Sequence, residues 1–197
     1  MARQPIVTKE KLLEASAATI IRFGLRKSTL EDIGRAVGVS KAAVLYHFHS
    51  KEELIAAVVE QEYARFFADL REALAREATA EGKLRVFGLG RFQYIQDRLL
   101  AYGAVTKEIL ESVMPLVREC LVRRREEELG LLRDILADGM RSGEFAPGDP
   151  DLMAVAAMAA LTGLYDAFLL YGRESRIDEG LEQLFRLLMN GLRRRDA

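Results

Sequence analysis

STLEDIGRAVGVSKAAVLYHFHSK, residues 28–51, reads as two short helices joined by a tight turn, and the rest of the chain is organised around it. Ser28 followed three residues on by Glu31 has the form of a capping box, in which hydroxyl and carboxylate each satisfy an orphan backbone donor. Gly38, after Ala36 and Val37, takes a positive φ without steric cost and ends that helix. Ser40 is a good N-cap for a second helix over Lys41 to Phe48. On it Val44 and Phe48 share a face that can pack against Ile33 and Val37, which leaves Lys41, Ala42, Leu45 and Tyr46 outward. A short helix with a cationic, aromatic and apolar outer face, set behind a glycine turn, is a helix-turn-helix with its recognition helix.

The same residues carry a family resemblance. Gly24-Leu25, Ser28-Thr29, Ile33-Gly34, Gly38-Val39-Ser40-Lys41-Ala42-Ala43, Val44-Leu45-Tyr46-His47-Phe48 and Ser50-Lys51-Glu52-Glu53-Leu54 resemble the DNA-binding domain of the TetR family of bacterial transcriptional regulators. The likeness covers Lys11 to Leu54. Leu45 stands where that family usually has Tyr, and Gly34 where it has a helix-favouring Ala.

Composition fits an all-α protein. The chain has 197 residues, half of them hydrophobic, enough for a substantial core in one or two domains. No run of about 18 uncharged apolar residues predicts a membrane span, and MARQPIVTKEK lacks the apolar core of a signal peptide, so the expected location is cytoplasmic. A single cysteine, Cys120, forms no internal disulfide and belongs to no metal or redox motif. Charge divides unevenly. Residues 1–51 hold nine Lys or Arg against four Asp or Glu, while residues 52–197 hold twenty against twenty-six. A basic head on an acidic body suits a protein that meets nucleic acid at one end.

Outward from the motif, Thr8 caps a first helix, Lys9 to Phe23, with Leu13, Ala17, Ile20 and Phe23 at helical spacing and Gly24 closing it. Ser50 to Glu53 forms a second capping box that launches a long helix to about Ala78. Gly82 reads as a break, followed by a helix from Lys83 to Tyr102 with Gly88 and Gly90 inside it, where close packing, or else space for a ligand, is the expected compensation. A short helix over 105–113 is expected to break near Pro115, with a new helix from Pro115 to Ser142. Within that helix Arg123 to Arg125 and Glu126 to Glu128 are expected to pair at i+3 or i+4 along a solvated face. Asp149-Pro150 is a strong helix start. The helix it opens, to Tyr171, is apolar nearly all round and so is expected to be buried on two sides, with Ala156, Ala159 or Ala160, Gly163 and Ala167 on a small-residue side that lets another helix approach closely. The last helix, Ile177 to Leu192, carries Ile177, Leu181, Leu184, Phe185, Leu188 and Leu192 on one stripe, and a second terminal stripe of that size on an otherwise complete domain points to a partner.

These readings give a helix-turn-helix DNA-binding domain over residues 1–52 and a helical ligand-binding and dimerisation domain over 53–197. Of the expected DNA contacts, Ser40, Lys41, Tyr46, His47 and Lys51 hold phosphates, Thr29 offers a helix N-terminus, and Ala42, Ala43 and Leu45 face base edges. A homodimer through the last two helices would present two recognition helices to one palindromic operator on double-stranded DNA. The middle helices carry apolar and amphipathic residues off any simple stripe: Phe67, Phe87, Phe92, Tyr94, Tyr102, Met114, Val117, Met158, Leu161, Tyr165 and Phe168. Arg91, Gln93 and Thr162 are possible polar anchors among them. The resemblance implies that a hydrophobic small-molecule effector binds there and releases DNA. Catalytic and metal motifs are lacking, and His47 with His49 leaves a tetrahedral metal site half empty. No enzyme activity, cofactor or metal is therefore expected. The competing reading is a helical ligand-binding or signalling adaptor that never touches DNA.

Overall fold

A computed structural model describes residues 7–24, 27–102, 107–170 and 176–192, and among them the chain is all helix with no strand. The helices are α1 (Lys9–Phe23), α2 (Leu30–Ala36), α3 (Lys41–His47), α4 (Lys51–Ala75), α5 (Ala80–Tyr102), α6 (Lys107–Ser142), α7 (Pro150–Leu170) and α8 (Ile177–Leu192). The chain divides into two compact units. One holds residues Met1–Phe67 and Ile95–Arg123, the other Ala68–Tyr94 and Arg124–Ala197. The side chains of Tyr102, Met114, Val117, Tyr165, Phe168 and Ile177 lie outside the described residues.

In the first unit, Thr8 Oγ1 accepts from the Lys11 amide at 3.4 Å, capping α1, and Gly24 ends it at φ 80°. Leu12, Leu13 and Ala17 of α1 meet Leu30 and Ile33 of α2, Val44 of α3, and Leu54 and Val58 of α4 around Phe48, which is fully buried. Burying a large apolar side chain completely is worth roughly 1.5–3 kcal/mol, so this cluster holds the short α2 and α3 in place. Phe23, expected on the buried stripe, is 47% exposed. It is the last residue of α1, and its ring lies under the Arg22 guanidinium, 5.0 Å from its centroid.

The first capping box sits one residue later than expected. Ser28 is buried, and its hydroxyl donates back to the carbonyls of Gly24 at 2.8 Å and Thr19 at 3.3 Å, tying off the end of α1. Thr29 takes the N-cap and forms a reciprocal box with Asp32. The box at Ser50 is half formed. Ser50 Oγ accepts from the Glu53 amide at 3.0 Å, but the Glu53 carboxylate turns to the His49 amide at 2.8 Å and to His49 Nδ1 at 2.9 Å. Beyond it α4 joins the head core through Leu54 and Val58 and is tied to α1 by Arg65–Glu14 at 3.0 Å.

In the second unit, α5 starts earlier than Gly82. Thr79 Oγ1 accepts from the Gly82 amide at 3.0 Å, so Gly82 lies in the first turn, where an interior glycine's cost is not incurred. Gly88 confirms the close-packing expectation: a Cβ built there would stand 2.5 Å from Phe185 Cζ of α8. Proline does not break α6, which runs from Lys107 to Ser142 with Pro115 inside it. The lost hydrogen bond and ring clash cost about 3 kcal/mol, a local penalty within a helix of 36 residues.

The arginine run also departs from its expected pattern. Arg124 pairs with Glu127 at 3.0 Å within the helix, whereas Arg123 reaches Glu60 of α4 at 3.1 Å. Arg125 instead donates to Thr162 of α7 at 3.4 Å, and Glu128 is buried against Arg91. Asp149 Oδ1 accepts from the amides of Asp151 and Leu152 at 2.9 and 3.1 Å, the predicted cap of α7.

Of the expectations about the last helices, the one that turns the α8 stripe to a partner reverses, whereas the small-residue side of α7 stays outward. The α7 helix is not buried on two sides within the chain: Leu152, Val155, Ala156, Ala159 and Gly163 form an exposed strip. The stripe of α8 faces inward, with Leu181, Phe185 and Leu192 buried alongside Met189. Arg85 of α5 holds Glu182 at 2.6 Å and lies over the Phe185 ring, which fixes that orientation.

Candidate nucleic-acid interface

The α3 helix is only two turns long, and its orientation follows from two buried anchors, Val44 and Phe48. Ser40 starts it by accepting from the Ala43 amide at 3.3 Å, and Phe48 closes it in extended backbone. The α2–α3 turn is unusually tight. Gly38 has φ 73°, the Val39 amide donates to the Gly34 carbonyl at 2.8 Å, and a Cβ on Gly34 would lie 2.7 Å from the Val39 carbonyl oxygen.

With Val44 inward, Ser40, Lys41, Ala42, Leu45 and Tyr46 are exposed, and Ala43 and His47 are half-buried. Tyr46 is 84% exposed and meets the His47 ring edge-on at 5.4 Å. An exposed phenol and an N-cap hydroxyl can donate to phosphate, and small or apolar groups between them can approach base edges.

Electrostatics refine these roles. Lys41 is engaged with Glu31 of α2 at 2.9 Å, and the hydrogen bond from Lys41 holds that carboxyl below the usual carboxylate range. Phosphate contact by Lys41 thus requires exchange of one anion for another. Thr29 Oγ1 donates to Asp32 Oδ2 at 2.6 Å, and this hydrogen bond lowers the Asp32 carboxyl. The N-terminus of α2 is therefore already served by a carboxylate, which a phosphate would have to share. Lys51 is half-buried, and burial lowers its ammonium from its ordinary value.

Lys9, absent from the expected contacts, sits with Nζ 5.2 Å from the Phe48 ring centroid at the foot of α3. Its position after the Thr8 cap was legible, but its proximity to α3 depends on how α1 crosses. A groove of about 430 Å³ in the same unit is lined by Ala15, Ala18, Thr19, Arg22, Phe23, Asp32, Arg35 and Ala36, none of them an expected DNA contact.

Of the expected effector residues, Phe67 is buried in the first unit. In the second, Phe87, Arg91, Phe92, Met158 and Leu161 are buried, Tyr94 and Thr162 are half-buried, and Gln93 is exposed. Phe87 and Met158 are 0% and 1% exposed, which places them in the packed interior of that unit. Arg91 and Thr162 do come together, with Nη2 to Oγ1 at 3.3 Å. Among the described residues no group of three or more His, Cys, Asp or Glu could hold a metal ion, and no helix is long and apolar enough to cross a membrane.

Residues 12–58 match the family model for bacterial regulatory proteins of the tetR family. The chain is 30% identical over 145 residues to the HTH-type transcriptional regulator RutR of Escherichia coli, covering 72% of this chain and 66% of that protein. It is 27% identical over 197 residues to the HTH-type transcriptional regulator TtgR of Pseudomonas putida, covering 90% and 91%. In fold it resembles a transcriptional regulator from Cytophaga hutchinsonii, with a TM-score of 0.83 at 21% identity over 94% of this chain and 98% of that one.

Proposed function

From the premise that this chain belongs to the TetR family, as a DNA-binding transcriptional regulator and not an enzyme, we propose that it is a ligand-responsive repressor acting as a homodimer on a palindromic operator. The observation that carries the reading is the outward face of α3, where Lys41, Ala42, Leu45 and Tyr46 are exposed around a helix pinned by Val44 and Phe48. The phosphate contacts are Ser40, Lys41, Tyr46, His47 and Lys51, with Thr29 at the α2 N-terminus. Ala42, Ala43 and Leu45 meet bases. Residues 1–52 form the DNA-binding domain and 53–197 the ligand-binding and dimerisation domain, in a protein working in the cytoplasm on chromosomal DNA.

The exposed strip of α7 supports the dimer. Leu152 and Val155 are 68% and 55% exposed beside Ala156, Ala159 and Gly163, and on α8 Leu187 is 70% exposed. Exposed apolar surface of this kind on the last two helices is suited to a second copy related by a two-fold axis. Recognition helices entering successive major grooves then lie about 34–36 Å apart. A hydrophobic effector releases DNA by favouring a state in which α4 carries the head away from that spacing, which requires different affinities for the two states.

Sequencing of genomic fragments selected by the purified protein tests this reading. A palindromic consensus bound with strong salt dependence is expected. Selection without enrichment would favour the adaptor reading, and a monomer mass by light scattering with operator affinity intact would remove the dimer.

A further inference from the structure

Three helices of the second unit bring polar groups to one oxygen. Arg91 of α5 donates from Nη2 to Thr162 Oγ1 at 3.3 Å, and Arg125 of α6 from its own Nη2 at 3.4 Å, while that hydroxyl donates to the Met158 carbonyl at 2.9 Å. Glu128 takes Arg91 Nε at 3.1 Å, with both side chains at least nine-tenths buried. One carboxylate therefore serves the first arginine, whereas the second, half-buried, has a neutral hydroxyl as its partner among the described residues. A guanidinium carries five donors in a fixed fork, and a partly desolvated one satisfied by a single long bond to a neutral oxygen favours an anion beside it.

The surroundings define how an anion can enter. One turn away on each helix lie Phe87, Leu132 and Met158, at most 1% exposed, which close the cluster on that side. Tyr94, one turn further along α5, and Arg124, next to Arg125 on α6, are only half-buried, so the cluster is less enclosed there.

We propose that Arg91 and Arg125, converging on Thr162, form a receptor for an oxyanion, a carboxylate or phosphate ester, at the head of the hydrophobic effector. The proposal rests on the effector reading above and narrows it to amphiphilic anions. Arg125 is the primary contact and Thr162 positions both guanidinium groups.

The test is thermal melting of the full-length protein, in buffer free of phosphate and carboxylate, titrated with decanoate, decyl phosphate and decan-1-ol. The two anions should stabilise the protein at concentrations about ten-fold or more below those needed for the alcohol, as a charge-assisted hydrogen bond implies. Decanoate acting below decyl phosphate would identify the carboxylate, and the reverse the phosphate ester. In Arg125→Met the advantage over the alcohol should vanish, while the ligand-free protein melts at or above wild type because an under-satisfied cation has been removed. Thr162→Val should weaken the anion advantage without abolishing it. Equal effects of acid and alcohol, no anion effect at all, or an undiminished advantage in Arg125→Met would each overturn the proposal, as would a lowered melting temperature showing that Arg125 is simply structural. Operator release followed in the same samples separates the two claims. Release by decanol as readily as by decanoate keeps the effector reading and ends the anion receptor, whereas anion binding that Arg125→Met removes, without release, keeps the receptor and ends its coupling to DNA.

Discussion

Replacing Gly34 with alanine sets two effects of similar size against each other. Gly34 lies inside α2, where alanine gains about 1 kcal/mol of helix propensity over glycine. The new Cβ, however, would stand 2.7 Å from the Val39 carbonyl oxygen and 3.4 Å from the Ser40 carbonyl carbon and oxygen. Those are backbone atoms at the entrance to α3, so no rotamer change relieves the contact. The turn must open by several tenths of an ångström, against the 2.8 Å bond from the Val39 amide to the Gly34 carbonyl and the burial of Val39. Overpacking of this kind costs about 1–3 kcal/mol. The expected net is a loss of about 0–2 kcal/mol, a melting temperature lower by up to about 8 °C at roughly 2–4 °C per kcal/mol for a chain this size. Operator affinity should fall further than stability, because the opened turn re-aims α3. Calorimetry with fluorescence anisotropy on the selected operator measures both. A variant that melts several degrees higher and binds operator like wild type would refute the argument, showing that the turn relaxes freely and that glycine is only a weak helix former there.

Gly88→Ala should lose about 1–3 kcal/mol by overpacking, since its Cβ would meet the buried Phe185 ring at 2.5 Å, and Phe185→Leu in the same chain should restore part of that loss in a urea titration. Glu31 and Asp32 have folded carboxyls below their ordinary values of 4.5 and 3.8, each through a hydrogen bond, from Lys41 and from Thr29. Their contribution is fully present above those values and lost as pH falls through the lower folded ones. The head should therefore lose stability from about pH 4 downward, and Asp32→Asn should flatten that dependence in melts followed by circular dichroism. Leu45→Ala should cost at most about 1–3 kcal/mol at operator steps where the side chain meets a thymine methyl; uracil substitution there should weaken wild type and leave the variant unchanged, and equal losses at every position would count against the contact.

What the sequence determined by itself was local. Thr8, Ser40 and the Asp149-Pro150 pair cap the helices they were expected to cap, and Gly38 makes the predicted turn. Such signals are complete within about four residues of chain, and so is the alternation that places Val44 and Phe48 inside and Tyr46 outside. That made the α3 face legible before any fold was known. Ser28 and Thr29 could not be told apart as caps, because both carry hydroxyls and the choice was made by the carbonyls at the end of α1 that Ser28 reaches. The apolar stripe of α8 announced that it would be buried, but the partner it pointed to proved to be its own chain. The glycine at 88 and the arginine at 85 turned it onto its own chain, leaving the strip of α7 outward. Arg125 looked like one member of a solvated charge run until α7 placed Thr162 beside it, 37 residues away in sequence. Helical periodicity states which side of a helix avoids water, whereas the partner that covers it, and any charge left without a counter-ion, are decided by how the helices cross.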